Sequence, residues 1–313
     1  MAIRNKTVDN TGFSNNTAAE GSRLSNKDGS YNVRKTGLPF LQHYSVMHTL
    51  IRMKNRHFFS LVLLFYFVVN IFFALIYYFF GIHDLDGVVT GKGLLHDFLQ
   101  AFFFSAQTIT TVGYGHIHPT SVFTNVVAAL ESFMGILTFA VITGLLYARF
   151  AQPKAYLRFS DHILISPFKE GKALMFRVAA YKNNNLIMAT AQVFISLHIQ
   201  EGDTMTTRFY NLDLQISQVN SLATSWTIVH PINEESPIYG LTMDDLRERR
   251  AEILVQIQGM DDQLYHTVQQ KTSYVANEII DNARFNPILT RSTDGSVSLV
   301  DVSKLNHYTK LNA

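Results

Sequence analysis

An uncharged apolar run of 23 residues, 58–80, constrains the fold of this chain more than any other feature. A hydrocarbon core of about 30 Å needs about 20 helical residues, so the run is long enough to span a membrane. A second apolar stretch, 122–150, is also long enough and carries Glu131 and Arg149 as its only charged residues. The sequence therefore predicts two membrane-spanning helices.

The composition excludes several functional classes. The 313 residues include no cysteine, which rules out disulfides, thiolate metal sites and cysteine nucleophiles. Charged residues make up 16% and the net charge is +2, which argues against a basic protein that coats nucleic acid. No P-loop, G-x-S-x-G or H-E-x-x-H motif occurs, and His116-x-His118 supplies only two metal ligands. We therefore expect neither an enzyme, nor a cofactor, nor a nucleic-acid partner.

The basic residues predict how the chain crosses the membrane. The segment between the two spans holds Lys92 against Asp84, Asp86 and Asp97. Positively charged residues cluster instead before the first span and at or after the second: Arg34, Lys35, Arg52, Lys54, Arg56, Arg149, Lys154 and Arg158. Segments rich in Lys and Arg next to a membrane span stay on the cytoplasmic side. We therefore expect a multi-pass protein of the cell (inner) membrane with both termini cytoplasmic.

The composition and apolar pattern of the sequence divide the chain into four regions. Residues 1–36 are polar and predict a disordered N-terminal tail. Residues 37–57 include interleaved apolar and basic positions and predict an interfacial helix on the membrane surface. Residues 58–153 hold the two spans. Residues 154–313 alternate apolar and polar positions between turn formers, which predicts a β-sandwich with one short helix near Met243–Arg250.

The segment between the spans carries the motif Thr108-Ile-Thr-Thr-Val-Gly-Tyr-Gly115, preceded by a helical pattern at about 95–107. Gly113 and Gly115 can adopt positive φ, which lets consecutive carbonyls point the same way. Irregular backbone at membrane depth is tolerated where it lines a water-filled path. Such carbonyls, with the Thr111 hydroxyl at the inner end, can replace the water shell of K⁺. The motif predicts a K⁺ path, with K⁺ as the only metal and the permeant ligand.

The eight-residue motif between two spans resembles the selectivity filter of potassium channels. The segment Ala148-Arg149-Phe150-Ala-Gln-Pro153-Lys154 resembles the inner-helix exit of inward-rectifier potassium channels. Residues 230–239 and 273–280 resemble two segments of their cytoplasmic immunoglobulin-like domain. The tyrosine filter, the following His-Pro and Ala-Arg-Phe are most similar to the prokaryotic KirBac group. The resemblance runs from about Tyr44 to about Tyr308.

The resemblance implies a homotetramer with two transmembrane helices, a re-entrant pore helix and filter, and a cytoplasmic immunoglobulin-like β-sandwich. Its function would be passive, K⁺-selective conduction, gated at the inner-helix bundle crossing and by the cytoplasmic domain and lipids. The implied K⁺-coordinating residues are Thr111, Val112, Gly113, Tyr114 and Gly115.

Three residues spaced four apart share one face of the second span, and the resemblance places them along the inner pore: Tyr147, Thr143 and Phe139. Tyr147 matches the gate, where a ring of bulky side chains closes the path. The alternative is that the aromatic residues pack against the first span. A loop narrowing the cytoplasmic pore is implied for Asp261, Asp262, Leu264, Tyr265 and His266.

Basic residues near the inner leaflet are candidates for binding anionic phospholipid headgroups, with positive-inside topology as the alternative explanation: Arg52, Lys54, Arg56, Arg149, Lys154 and Arg158. Glu131 is interpreted as making a structural hydrogen bond behind the filter, although an ionisable residue inside a span is a functional candidate by default. Gly135 and Gly144 serve either bending or close helix packing.

Polyamines and Mg²⁺ are candidate pore blockers, but we expect weak block and weak rectification. Phe139 stands where strongly rectifying relatives carry an acidic or amide residue. Met188, Leu214 and Gln218 align with acidic residues of strong rectifiers, and Asp213 is one position away from Leu214. At the outer mouth, four copies of His116 would become cationic on acidification and repel K⁺, unless a structural hydrogen bond holds the ring neutral.

Overall fold

The computed structural model describes residues 23–34, 36–37, 39, 45–182, 185–202 and 204–311. The chain forms two compact units. One comprises Thr36–Gln152, and the other joins Met1–Lys35 to Pro153–Ala313.

The unit of residues 36–152 is helical. It contains α1 (Val46–Arg52), α2 (Asn55–Phe80), α3 (Leu94–Ile109) and α4 (Val122–Phe150). Among the described residues, α2 and α4 are the helices long and apolar enough to cross a membrane. The predicted span 122–150 has the bounds of α4, whereas α2 begins three residues before the predicted 58–80 because the helix continues through Asn55-Arg56-His57.

Polar caps and small residues explain how these helices begin and pack. Ser121 caps α4 in a reciprocal capping box with Thr124, which satisfies backbone donors that a helix start leaves unpaired. Ala74 of α2 and Ala101 of α3 are fully buried, so the two helices approach closely. Next to them the Tyr77 and Phe104 rings meet edge to face, with centroids 5.0 Å apart. The helical pattern expected at about 95–107 corresponds to α3, which extends two residues further at its C-terminal end, to Ile109.

The predicted interfacial region, 37–57, contains the short helix α1 among its described residues. Of the predicted 37–57, residues 38 and 40–44 lie outside the described residues. The helix α1 ends at Arg52, and Met53 is extended at φ −64° and ψ 153° before α2 begins. A two-strand pair, β1 (Leu85–Asp86) with β2 (His118–Pro119), closes the connection between α2 and α4.

The other unit is a sandwich of two five-stranded sheets. The first has the order β11-β10-β6-β7, with β8 beside β6; the second has the order β12-β4-β5-β3, with β9 beside β5. Their bounds are β3 Leu157–Phe159, β4 Ile163–Phe168, β5 Gly171–Ala180, β6 Leu186–Glu201, β7 Thr204–Asn211, β8 Gln218–Leu222, β9 Ser225–Ile232, β10 Glu252–Asp261, β11 Thr267–Val275 and β12 Ile279–Asp281.

The sandwich core comes from alternating positions of both sheets. Ile195 and Ile253 from one sheet and Phe176 and Ile228 from the other are at most 1% exposed and belong to one cluster. The predicted short helix is α5 (Met243–Glu248), which is capped by Thr242. Two small antiparallel pairs complete the unit: β13 (Ala283–Phe285) with β16 (Tyr308–Lys310), and β14 (Leu289–Arg291) with β15 (Ser298–Val300).

One strand prediction is wrong. The apolar alternation over 207–219 indicates a single strand, but the structure has β7 and β8 separated by six residues, 212–217. In that interval the Leu212 N–H donates to the Val193 carbonyl and the Gln215 N–H to the Val229 carbonyl. The backbone therefore changes its hydrogen-bonding partner from one strand to another while apolar and polar residues still alternate in the sequence. A period-two pattern cannot show this change.

The prediction of a disordered tail over 1–36 is corrected for residues 23–34. Arg23 forms a two-pronged ion pair with Glu278 (3.1 Å for each bond), and the Leu24 N–H donates to the buried Glu252 carboxylate at 2.7 Å. These partners lie more than 220 positions away in sequence, so composition alone could not show them. Residues 1–22 and 35 lie outside the described residues.

Candidate functional site

The motif segment 111–115 follows directly from the C-terminal end of α3. The Val112 and Gly113 N–H groups donate to the Gln107 carbonyl at 3.0 and 3.2 Å, which ties the segment to the helix. Gly113 and Gly115 have φ of 51° and 77°, the left-handed geometry expected for them. Thr111 also has a positive φ of 59°, which the sequence did not indicate and which a β-branched residue rarely adopts.

The carbonyl oxygens of this segment are available to a ligand. Within the described part of the chain, none of the five accepts a hydrogen bond, while the Val112 and Gly113 N–H groups are engaged by Gln107. The side chains of Val112 and Tyr114 are 52% and 79% exposed in the single chain. The segment therefore combines five backbone oxygens that lack an internal partner, the type of ligand that K⁺ takes, with side chains that one chain leaves uncovered.

The outer end of the segment is held by a close backbone contact that sequence reasoning missed. Gly87 has φ +84°, and a Cβ at this position would lie 1.9 Å from the His116 carbonyl oxygen. Beside it, His118 pairs with Asp86 in the β1–β2 ladder, and its Nε2 is 3.6 Å from the Asp86 carboxylate. The exposed His116 ring makes no hydrogen bond among the described residues. Only the contact itself reveals the need for glycine at 87.

Glu131 lies in a fully buried polar cluster that joins three helices. Its Oε2 accepts a hydrogen bond from the Tyr77 hydroxyl of α2 at 2.8 Å, and its Oε1 lies 2.5 Å from the Ser105 hydroxyl of α3. Asn70, also fully buried, lies 3.2 Å from the same Ser105 hydroxyl. The predicted structural hydrogen bond of Glu131 is confirmed, and its partner Ser105 belongs to the helix that carries the motif segment.

The two glycines of α4 differ in what surrounds them. A Cβ on Gly135 would lie 2.0 Å from the Ile109 carbonyl oxygen at the end of α3, so this glycine serves close packing. Nothing lies within 4 Å of the corresponding position on Gly144. Gly135 therefore sets how closely α4 approaches the start of the motif segment.

The three predicted inner-pore residues lie on one face of α4. Phe139 and Tyr147 are each 75% exposed, and Thr143 is exposed between them. In the single chain these aromatic rings are thus largely free of the α2 packing that was the alternative. The face is open to other copies of the chain or to a pore.

Arg149 differs from the other basic candidates because its guanidinium is already engaged by protein. Its Nη2 donates to the Met53 carbonyl at 2.7 Å and to the Asn55 Oδ1 at 2.6 Å. Its Nη1 donates to the Leu50 and Ile51 carbonyls. The remaining candidates are exposed: Arg52, Lys54 and Arg56 in the helical unit, and Lys154 and Arg158 in the sandwich unit.

The predicted cytoplasmic loop connects β10 to β11. Leu264 and Tyr265 are 52% and 72% exposed, and His266 is exposed as well. Asp261 turns inward, because its Oδ1 accepts from the Gln263 and Leu264 N–H groups of its own loop. Asp262 is half-buried and accepts two hydrogen bonds from Asn185.

The residues aligned with acidic positions of strong rectifiers lie elsewhere on the sandwich. Met188 is 58% exposed at an irregular point of β6 where its φ is 51°, and Gln218 at the start of β8 is exposed. Leu214 is half-buried. Asp213 is exposed and accepts a hydrogen bond from Asn211 at 2.7 Å. The aligned positions themselves carry no charge.

Comparisons with known families agree over both units. Residues 157–313 match the family described as the inward rectifier potassium channel C-terminal domain, and residues 49–152 match the family described as ion channel.

Individual proteins are similar over most of the chain. The inward rectifier potassium channel Kirbac3.1 of Paramagnetospirillum magnetotacticum is 34% identical over 88% of this chain and 92% of its own length. The human G protein-activated inward rectifier potassium channel 2 is 29% identical over 86% of this chain and 68% of its own length. The mouse ATP-sensitive inward rectifier potassium channel 12 is 31% identical over 62% of this chain and 48% of its own length.

Proposed function

Because this chain belongs to the inward rectifier potassium channel family and is a K⁺ channel of this type, we propose that residues 111–115 are its selectivity filter. One observation carries the assignment: five consecutive carbonyls with no internal hydrogen bond in the described chain, on a segment bent by Gly113 and Gly115 at positive φ. Dehydrated K⁺ needs such oxygens in place of water.

Four copies of the chain complete the path. Channels of this family are tetramers, and one filter strand cannot surround an ion. The exposure of Tyr114 and of the α4 face at Phe139, Thr143 and Tyr147 is consistent with surfaces that neighbouring copies cover or that line the pore. In this proposal Tyr147 forms the bundle-crossing gate, since four bulky rings can close a narrow path by steric block and dewetting.

The proposed topology places both termini in the cytoplasm of a cell whose inner membrane holds the channel. The excess of basic residues on the flanks of α2 and α4 supports it. The β-sandwich is then a cytoplasmic regulatory domain, and the loop 261–266 narrows its part of the path. The family is a class of ion channels rather than of enzymes, and conduction here is passive, with no catalytic step and no cofactor.

Anionic phospholipids are the proposed regulatory ligands, and the exposed side chains of Arg52, Lys54 and Arg56 are the first candidates to bind their headgroups. Lys154 and Arg158 are second candidates. Arg149 stands apart, because its hydrogen bonds to α1 leave less of the guanidinium for a lipid.

Flux into liposomes tests the proposal directly. The purified protein, reconstituted in vesicles with a K⁺ gradient, should take up Rb⁺ or K⁺ and exclude Na⁺. A planar-bilayer recording in which Na⁺ replaces K⁺ measures the same selectivity from the reversal potential. Equal permeation of Na⁺ and K⁺ through an intact tetramer would contradict the assignment of the filter.

A further inference from the structure

We propose that Glu131 is a protonated positioning residue for the selectivity filter. The inference rests on the proposed function of residues 111–115 and deepens it. A carboxylic acid at position 131, rather than a carboxylate, would hold α3 between the two spanning helices.

The proton assignment begins with the oxygens around Ser105. The Ser105 hydroxyl lies 2.5 Å from Glu131 Oε1, 3.2 Å from Asn70 Oδ1 and 3.4 Å from the Asn70 carbonyl oxygen. A serine hydroxyl has one hydrogen, so it can donate to one of these three oxygens. Each of the other two oxygens then faces the Ser105 oxygen with no hydrogen between them, unless that oxygen carries a hydrogen of its own.

The orientation of the Asn70 amide is settled by its second contact. The Asn70 Nδ2 donates to the Tyr66 carbonyl at 2.7 Å. Exchanging the amide nitrogen and oxygen would set Oδ1 against that carbonyl, two acceptors at hydrogen-bond distance, so the exchange is excluded. Ser105 therefore faces an oxygen of Asn70 and not its NH₂ group.

Only a protonated Glu131 gives a hydrogen to both side-chain contacts of the Ser105 hydroxyl, those with Glu131 Oε1 and with Asn70 Oδ1. The Glu131 carboxyl then donates from Oε1 to Ser105, Ser105 donates to Asn70 Oδ1, and Tyr77 donates to Glu131 Oε2. If Glu131 were a carboxylate, the Ser105 hydroxyl would have to donate to Glu131. No hydrogen would then lie between the Ser105 oxygen and Asn70 Oδ1. The relay is complete only with the additional proton.

The surroundings offer no charge that would stabilise a carboxylate. No Lys, Arg or His lies within four residues of Asn70, Tyr77, Ser105 or Glu131 along α2, α3 and α4. Glu131 and Asn70 are both fully buried, and no ion pair of Glu131 exists among the described residues. An unpaired buried charge is strongly unfavourable, whereas a neutral carboxylic acid with two hydrogen-bond partners is not.

The cluster is connected to the filter through α3. Ser105 lies two positions before Gln107, whose carbonyl accepts the N–H groups of Val112 and Gly113. On the other side, Gly135 lies one turn beyond Glu131 on α4 and lets that helix contact the Ile109 carbonyl. Glu131 therefore fixes the depth and rotation of α3, and α3 fixes the filter backbone.

Three variants in the full-length reconstituted channel test the proposal. Glu131→Gln is the matched control, because its NH₂ group can donate to Ser105 as the acid does while its oxygen accepts from Tyr77. Glu131→Ala removes both contacts, and Ser105→Ala breaks the relay with a smaller change in volume. Assembly is followed by size-exclusion chromatography, and the K⁺ to Na⁺ permeability ratio by reversal potentials.

We expect Glu131→Gln to keep the permeability ratio within about twofold, and Glu131→Ala and Ser105→Ala to lower it by about tenfold, since each leaves a buried polar group unpaired. A Gln variant as unselective as the Ala variant would overturn the proton assignment. Unchanged selectivity in both Ala variants would overturn the positioning role.

Infrared difference spectroscopy gives a readout that does not depend on conduction. At neutral pH the spectrum of the wild-type channel minus that of Glu131→Gln should show the carbonyl stretch of a protonated carboxyl. The loss of a carboxylate band instead would overturn the inference. If the wild-type protein shows the protonated band yet excludes no Na⁺, the proposed filter fails while the protonation of Glu131 stands.

Discussion

The guanidinium of Arg149, on the last turn of α4, donates a 2.7 Å hydrogen bond to the carbonyl of Met53, the residue that follows α1. It also donates to the Leu50 and Ile51 carbonyls and stacks over the Phe58 ring at 4.5 Å. The last carbonyls of a helix have no intrahelical partner, so Arg149 caps α1 from a neighbouring helix. The helix α1 is thereby tied to the helix that carries Tyr147.

Replacing Arg149 by Gln should destabilise the channel and loosen α1. Several charge-assisted hydrogen bonds to carbonyls are lost, and we expect the free energy of unfolding to fall by about 1–3 kcal/mol. Thermal unfolding of the detergent-solubilised channel measures this. The exposed Arg52 on α1 is the matched control, and Arg52→Gln should change the melting temperature little. Equal effects of the two variants would show that Arg149 acts only through its charge.

Neutralising the exposed basic side chains beside α2 should weaken the response to anionic lipid. For the triple variant Arg52→Gln, Lys54→Gln, Arg56→Gln we expect a loss of about 1 kcal/mol of surface attraction per residue. The half-effective fraction of anionic lipid in a liposome flux assay should therefore rise. Lys92→Gln, in the segment between the spans, is the control and should leave that fraction unchanged. An identical lipid response of the triple variant would assign these residues to topology alone.

Replacing Gly113 by Ala should abolish conduction. Its φ is 51°, and a Cβ disfavours this backbone geometry although no neighbouring atom blocks it. The relaxed segment would no longer align its carbonyls for K⁺. Gly91→Ala introduces the same kind of strain at φ +90° outside the filter and should preserve flux in the liposome assay. Normal K⁺ flux in the Gly113 variant would refute the filter assignment.

Acidifying the external solution should lower the conductance. A protonated imidazole is cationic, and four charged His116 rings at the outer mouth would repel K⁺. The hypothesis that a hydrogen bond holds this ring neutral has no support among the described residues, because the exposed ring has no partner there. His116→Asn should blunt the decrease in single-channel current between about pH 7.5 and 5.5. His118→Asn is the control. If His116→Asn leaves the response to acid unchanged, His116 does not have this role.

Cytoplasmic spermine should block the channel weakly. Phe139 carries no charge, and the exposed Met188 and Gln218 add none. A polycation entering the path would lose hydration and gain little Coulomb energy. The variant Phe139→Asp should gain voltage-dependent block in bilayer recordings. The control Phe139→Asn, whose side chain is as large as that of Asp but uncharged, should gain less. Steep block of the wild-type channel at micromolar spermine would point instead to Asp213, Asp261 or Asp262.

Features that depend on a few consecutive residues could be read without a structure. The length of an apolar run sets whether a helix can cross a membrane, which is why 122–150 and the bounds of α4 coincide. The glycines at 113 and 115 indicate positive φ, because almost no other residue adopts it freely. The Thr242 cap of α5 is local in the same sense.

Contacts between distant residues could not be read in this way. The engagement of Arg149 by α1 joins positions 96 apart, and the Ser105–Glu131 contact joins positions 26 apart. The docking of Arg23 on Glu278 spans 255 positions and reverses the expectation of a disordered tail there. Composition and periodicity report the environment of each residue separately. Which polar groups satisfy one another in a buried site depends on distances that exist only once the helices and sheets have packed.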